Sequence, residues 1–288
     1  MFLVNCMEGI YLINKIEGIT SYDVIRKLKE KTTLKIGHAG TLDPFAEGLL
    51  IVLIGRATKL SDLFLNSDKI YEGVISFGYS TDTYDKTGEI VNKLDEFKLT
   101  EEAVKAAIKG LSGDISQTPP KYSSIKVKGK KLYQYARKNE AVIIPKRVVH
   151  IEFLSYRLTN NELYFKVQVS KGTYIRSIAN DLGDKLGIPC HLKSLKRLSS
   201  GDFKLEDAND EKPFMTLTDY ANTLDRLVIK PYLEKLVLNG VYLDDRQTNT
   251  KEIFSVYTEN NQLLAIYTPF KGKYKPLILF GDNYESID

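Results

Sequence analysis

An α+β fold is predicted by three features of the 288-residue chain. Strand-like alternation recurs, most clearly over residues 162–170, where Leu163, Phe165, Val167 and Val169 stand opposite Tyr164, Lys166 and Gln168. Segments with helical spacing lie between such strands. After about residue 231 the chain becomes a short helix and a series of brief β-rich segments, which reads as a small separate module.

Taken in order, residues 10–14 are a short apolar strand. Thr20 or Ser21 caps a helix to about residue 31, with Val24, Ile25 and Leu28 on one face. Residues 37–50 hold three glycines, Pro44, His38 and Asp43, and run into an apolar strand at 49–54. Glycine permits positive φ, and proline fixes φ and biases the residue before it toward an extended or turn conformation. This is a tightly shaped loop that places Asp43. Residues 57–66 predict a helix with Leu60, Leu63 and Phe64 inward. Residues 69–79 predict a strand with Tyr71, Ile75, Phe77 and Tyr79 on one face, and 80–88 a loop. Thr100 caps a helix through Leu111. Residues 147–159 and 162–170 form a hairpin at Asn160-Asn161. Thr173 then caps a helix with Ile175, Ile178, Leu182 and Leu186 inward. Residues 193–198 read as a basic patch, and 204–227 as an irregular or helical connector. The module's strands fall at 253–257, 263–267 and 276–280.

Composition sets further bounds. No run of about 18 apolar residues exists, which argues against a membrane-spanning helix. The Met1–Glu8 segment lacks the pattern of a signal peptide. Cys6 and Cys190 are isolated, so neither a zinc site nor a disulfide framework is indicated, and a cytoplasmic location is expected. The net charge is +4, yet residues 121–147 carry nine basic residues against one acid, Glu140, with Tyr122, Tyr133 and Tyr135 interleaved. Cations neutralise phosphates and aromatic faces stack on unpaired bases. The same pattern also describes a solvated basic face whose tyrosines cover core.

Asp43 can serve as nucleophile, general base or turn-capping acceptor. A metal site is weakly indicated, because no second carboxylate or histidine stands at ligand spacing. Arg176 falls in the first turn of its helix, where a cation opposes the helix dipole, so a partner carboxylate would explain it. An Arg–Asp pair would keep a buried carboxylate ionised and fix its geometry. Read singly, Tyr71 is equally a packed core residue, Arg176 a surface helix residue and His38 a loop hydrogen-bonder.

Several motifs then coincide in order: Gly37-His38-Ala39-Gly40-Thr41-Leu42-Asp43-Pro44, Ser67-Asp68-Lys69 with Tyr71, Thr81-Asp82-Thr83 with Asp85, Gly129-Lys130-Lys131-Leu132-Tyr133, and Lys171-Gly172-Thr173-Tyr174-Ile175-Arg176. Over residues 10 to about 203 the chain resembles the TruB-type tRNA pseudouridine synthases, in their bacterial stand-alone form. The resemblance implies a pseudouridine synthase fold, with a mixed, largely antiparallel sheet flanked by helices and an RNA cleft across one face. It implies a catalytic domain over residues 1–228, an RNA-clamping insertion at about 121–147, and a PUA-like RNA-binding module over 229–288. The implied reaction converts uridine 55 in the tRNA T-loop to pseudouridine after base flipping, with no cofactor and no metal. Asp43 corresponds to the nucleophile, Tyr71 to the tyrosine that stacks on the base and removes the C5 proton, and Arg176 to the arginine paired with the aspartate. His38, Tyr174, Lys130, Lys131 and Leu195 correspond to substrate contacts. The implied partner is the tRNA T-arm stem-loop, bound by a monomer with no membrane, obligatory protein partner or guide RNA.

Attack of Asp43 at C1′ or at C6 stays open, with the resemblance favouring C1′. One departure stands out: the family's Lys-Pro-x-Gly motif reads Lys15-Ile16-Glu17-Gly18 here, which is expected to loosen the neighbouring loop. Two rival readings are a tRNA-binding or tRNA-folding protein without catalysis and a hydrolase of free nucleosides. The first would not need Asp43 with Arg176, and the second would not need the basic segment.

Overall fold

In the first segment, β1 (Gly9–Lys15), α1 (Ser21–Lys29), β2 (Ile36–Ala39) and β3 (Glu47–Ile54) build one edge of the central sheet. This computed structural model describes residues 7–138 and 140–281; Cys6 and most of the Met1–Glu8 segment lie outside them. Thr20 caps α1 through a reciprocal capping box with Asp23, and Val24, Ile25 and Leu28 are buried. A 3-10 turn over Gly55–Leu60 precedes α2 (Ser61–Leu65), in place of the single helix predicted at 57–66. The change of helical pitch leaves Leu60 and Phe64 inward and turns Leu63 to solvent, correcting its expected position.

Strand β4 (Lys69–Phe77) buries Tyr71, Ile75 and Phe77. It ends before Gly78, so Tyr79 belongs to a separate ribbon, β5 (Tyr79–Thr81) with β6 (Ile90–Lys93). Thr100 caps α3 (Glu101–Lys109), which leads into β7 (Gly113–Gln117). The basic segment folds as β8 (Lys126–Val127), β9 (Lys130–Lys131) and α4 (Leu132–Arg137). β10 (Arg147–Thr159) and β11 (Glu162–Val169) make the expected hairpin, with Asn160 in the left-handed region. α5 (Ile175–Leu186) and β12 (Cys190–Ser200) follow. The predicted connector contains β13 (Phe203–Lys204), α6 (Leu217–Asn222) and β14 (Asp225–Ile229). The tail is α7 (Pro231–Leu238), β15 (Phe254–Thr258), β16 (Leu263–Phe270) and β17 (Lys273–Leu279).

The central sheet runs β1-β3-β12-β4-β11-β10-β7, with β2 added to β3 and β13 to β12. Every pairing is antiparallel except β3 with β12. Helices α3 and α5 cover one face, where Val104, Ile108, Ile178 and Leu182 meet Ile75, Val167 and Leu192. A second core joins β1 and β3 to α6 and reaches the C-terminal sheet through Ile266 and Ile278. That sheet runs β14-β15-β16-β17, so by pairing it begins at Asp225.

The parallel β3–β12 contact is short and close. Gly48 pairs with Arg197 at φ +101, and a Cβ there would lie 2.4 Å from the Arg197 carbonyl oxygen. Only glycine satisfies both conditions. This contact sets the end of the Asp43 loop against β12.

Candidate active site

The Asp43 loop is held from both sides. Asp43 opens a turn in which the Ala46 N–H donates to the Asp43 carbonyl at 3.0 Å, with Pro44 at the favoured second position. Leu42, Phe45 and Ala46 are buried in the core, while 37% of the Asp43 side chain stays open. Ser21 Oγ accepts from the Leu42 N–H at 2.9 Å and donates to the Leu42 carbonyl at 3.1 Å. On the other flank the Pro44 carbonyl accepts from the Gly18 N–H at 2.8 Å and from Lys15 Nζ at 3.4 Å. Arg197 braces the loop from below: Nε donates to the Leu49 carbonyl at 2.7 Å and Nη2 to the Gly40 carbonyl at 2.9 Å. Gly40, at φ +93, leaves room for the guanidinium, which would lie 3.2 Å from a Cβ.

Arg176 reaches Asp43 from the first turn of α5. Its Nε lies 2.9 Å from Oδ2, and Nη2 donates to Oδ1 at 3.3 Å. Nη1 donates to the Thr83 carbonyl at 3.0 Å and lies 3.4 Å from Asp85 Oδ2, while Nη2 also donates to the Tyr122 carbonyl at 3.0 Å. The predicted Thr173 cap is replaced. Tyr174 is the N-cap residue, and the buried Gln117 side chain exchanges two hydrogen bonds with its backbone, at 2.8 and 3.1 Å. Thr173 instead donates to the Ser170 carbonyl. Gln117 on β7 supplies the polar partner that the start of a buried helix requires.

Asp43, Arg176, Tyr71, Tyr174 and Leu195 line one cleft of about 400 Å³, together with Tyr122 and Tyr133 from the basic segment. A larger hollow of about 570 Å³ shares Leu195 but is walled by Glu72, Tyr156, Tyr164 and Lys166 and contains neither Asp43 nor Arg176. The Asp43–Arg176 pair therefore belongs to the smaller cleft. Among the described residues no three histidine, cysteine or carboxylate side chains are grouped to hold a metal ion.

The TruB family pseudouridylate synthase N-terminal domain model matches residues 26–175. The chain belongs to the TruB family. It is 41% identical over 95% of its length to the whole of a tRNA pseudouridine synthase B from Acholeplasma laidlawii (strain PG-8A). It is 38% identical over 94% of its length to 98% of the protein of that name from Pediococcus pentosaceus (strain ATCC 25745 / CCUG 21536 / LMG 10740 / 183-1w). Among solved structures, a Cbf5-Nop10-Gar1 complex aligns with a TM-score of 0.63 at 22% identity, covering 92% of this chain and 78% of that one. An H/ACA RNP bound to a substrate RNA containing 2′-deoxyuridine aligns at 0.62 and 21%, covering 90% and 77%. These neighbours identify the pseudouridine synthase fold.

Against the TruB pattern, the missing proline leaves the loop held. Ile16 is exposed, and its carbonyl accepts from Lys15 Nζ at 3.0 Å; Lys15 and Gly18 make the contacts to Pro44. His38 does not line the cleft. It sits on β2 paired with Val52, with a buried Nδ1 that lacks a hydrogen-bond partner. Burial, and then the Arg197 charge, hold its imidazole below the usual range. Lys130 and Lys131 stand outside the cleft lining on the β8–β9 hairpin, over the rings of Tyr135 and Tyr133 at 5.7 and 5.6 Å.

Sequence reasoning read Arg197 as part of a basic patch; β12 instead buries it. It also missed Lys15, Ser21, Gln117 and Asp85 as supports. The available signal for Asp85 was its place two residues from both Thr83 and Thr87; it accepts from each of them.

Burial lifts the Asp43 carboxyl above its ordinary value of 3.8. The Arg176 charge opposes the lift without cancelling it, and Asp85 adds to it. Arg176 favours the ionised carboxylate, by its charge and by its hydrogen bond, as expected for an Arg–Asp pair, while burial works against it. A raised folded pKa favours the protonated form, so stability from this group is present at low pH and lost as pH rises through that pKa. An enzyme that uses Asp43 as a carboxylate would have the reverse need, gaining activity as pH rises through the same pKa. Asp85→Asn removes the lifting charge, so the acid limb of the kcat/KM pH profile should move to lower pH. An unmoved limb would separate Asp85 from Asp43 electrostatically. Ser21→Ala leaves the Thr20 cap intact but frees the Leu42 peptide. It should lower kcat about tenfold, about 1.4 kcal/mol for the two hydrogen bonds lost, with KM nearly unchanged. A rise in KM alone would contradict the positioning role.

Proposed function

We propose that this protein isomerises uridine 55 of the tRNA T-loop to pseudouridine, with Asp43 as nucleophile and without a cofactor. The observation that carries the reading is the Asp43–Arg176 pair in a cleft that also holds Tyr71 and two tyrosines of the basic segment. The name tRNA pseudouridine synthase B, borne by relatives matched over nearly their full length, supports tRNA as the substrate.

The reaction breaks C1′–N1 and forms C1′–C5; a proton leaves C5 and N1 gains one. No electrons are exchanged and no water is consumed. A carboxylate suits attack at an electrophilic sugar carbon, as in retaining glycosidases, and C1′ is the proposed site of attack. The freed base must turn without escaping, and Tyr71 offers a flat apolar floor and the group that takes the C5 proton. Flipping the uridine out of its loop costs a few kcal/mol, recovered by stacking of about 1–3 kcal/mol per base and by phosphate contacts. Tyr174 and Leu195 are assigned to the pocket walls, and His38, Lys130 and Lys131 to the RNA backbone and loop. The proposed division is a catalytic part over residues 1–228 and a PUA-like RNA-binding module over 229–288, with the first strand of the module's sheet, β14, straddling the boundary. The chain is proposed to act in the cytoplasm as a monomer without a guide RNA.

Asp43→Asn should abolish isomerisation of an unmodified T-arm stem-loop, by about a thousandfold or more, while binding persists. Full conversion by the variant would sink the nucleophile assignment, and binding without turnover by the wild type would favour a tRNA-folding protein. Neutralising Lys130 and Lys131 to Gln should weaken binding and lower the salt slope by about 0.7–0.9 per lost phosphate contact. An unchanged slope would remove the hairpin from the RNA interface.

A further inference from the structure

Among the described residues Asp43 is the only acid lining the cleft, and Arg176 is already paired with it. Two more cations line the same cleft, Lys69 and Arg197. Neither forms an ion pair with a carboxylate among the described residues, and they are only 7% and 1% exposed. A buried charge without a counter-ion is costly, and structural cations usually avoid this by pairing.

Carbonyl groups take up hydrogens from both. Lys69 Nζ donates to the Leu65 carbonyl at 2.9 Å, to that of Ser67 and, at 3.5 Å, to that of Phe64, and Arg197 donates to Leu49 and Gly40. Carbonyls satisfy hydrogen bonds yet supply no counter-charge. Arg197 Nη1 carries neither of the two loop contacts and faces Gly40.

Strand pairing sets these cations beside the base floor. Tyr71 on β4 is directly opposite Arg197 on β12, and Lys69 precedes Tyr71 by two residues, on the same face. Burial, then repulsion from Arg197, lowers Lys69 to about 8; Lys171 adds to this, and Asp68, outside the cleft lining, offsets part of it. The cleft lining thus carries a positive excess next to the proposed seat of the base.

We propose that Lys69 and Arg197 form an anion subsite in the cleft floor that takes a backbone phosphate adjoining the flipped uridine. This rests on the RNA reading above. The cations then divide the work: Arg176 holds the nucleophile, and Lys69 with Arg197 receives the charge that a nucleotide carries in with its base. The subsite also discriminates. A free uridine offers no phosphate to it, so a nucleoside enters a cleft whose excess charge stays unmet.

The test uses wild-type enzyme and T-arm stem-loops with one neutral methylphosphonate linkage, placed 5′ of the target uridine, 3′ of it, or at a remote stem position. One flanking linkage should weaken Kd about tenfold and lower the salt slope by about 0.7, with the remote linkage costing less. In Lys69→Gln and Arg197→Gln the same linkage should add no further loss, while Lys69→Arg should keep the penalty. Flanking linkages that change wild-type Kd by less than about twofold would overturn the subsite, as would a penalty undiminished in both Gln variants. If those variants do not fold, the wild-type complex decides crystallographically. A phosphate oxygen within about 3.5 Å of Lys69 Nζ or Arg197 Nη1 supports the subsite, and one distant from both overturns it. Failure of the wild type to bind the unmodified stem-loop would overturn the RNA reading and the subsite together.

Discussion

Burying the Asp43–Arg176 pair is the constraint on which the catalytic half depends. Desolvation disfavours both charges, and their attraction offsets this only where geometry and surrounding hydrogen bonds are right. Arg176 meets the condition with two backbone carbonyls, Thr83 and Tyr122, and with Asp85 as a second anion. Asp43 meets it through the backbone on either side of it, tied down at Leu42 and Pro44. A fully buried pair broken by removing one partner costs about 3–5 kcal/mol. Here the cost is smaller, because 37% of the Asp43 side chain remains open to the cleft. That opening is also what lets the carboxylate meet a substrate.

The sheet explains why these distant segments converge. The one parallel pairing in the central sheet, β3 with β12, brings the end of the Asp43 loop onto the strand that carries Leu195 and Arg197. β4 lies on the other side of β12 and presents Tyr71 beside Arg197. α5 packs over this face, and Gln117 fixes its first turn so that Arg176 points back toward the loop. Rigid strands thus set the floor, and two braced loops supply the reacting and pairing groups.

Local chemistry was legible in the sequence wherever it was local. The Asp43 loop announced itself through its glycines and proline, the Thr20 and Thr100 caps through their hydroxyls, and the β10–β11 hairpin through alternation and Asn160. What was not legible depends on long-range pairing. Arg197 looks like a surface cation because Lys193, Lys196 and Arg197 cluster in sequence, and only the β4–β12–β3 pairing reveals that it is buried. Thr173 looks like a helix cap because its hydroxyl is well placed locally, yet Tyr174 is the N-cap residue and Gln117, far away in sequence, holds its backbone. The motif resemblance, not periodicity, joined Asp43 to Arg176, and the lift of the Asp43 carboxyl follows from packing that no motif encodes. Strand β7 has no strong alternation and forms because β10 offers it an edge.

The most direct measurement is a structure of the Asp43→Asn variant bound to an unmodified T-arm stem-loop. The central claim predicts that the target uridine is flipped into the cleft and stacked on Tyr71. Its C1′ should lie about 3–3.5 Å from the side-chain oxygen at position 43, as a near-attack geometry requires. A uridine still stacked in its loop, or held in the cleft with C1′ turned away from position 43, would contradict the account.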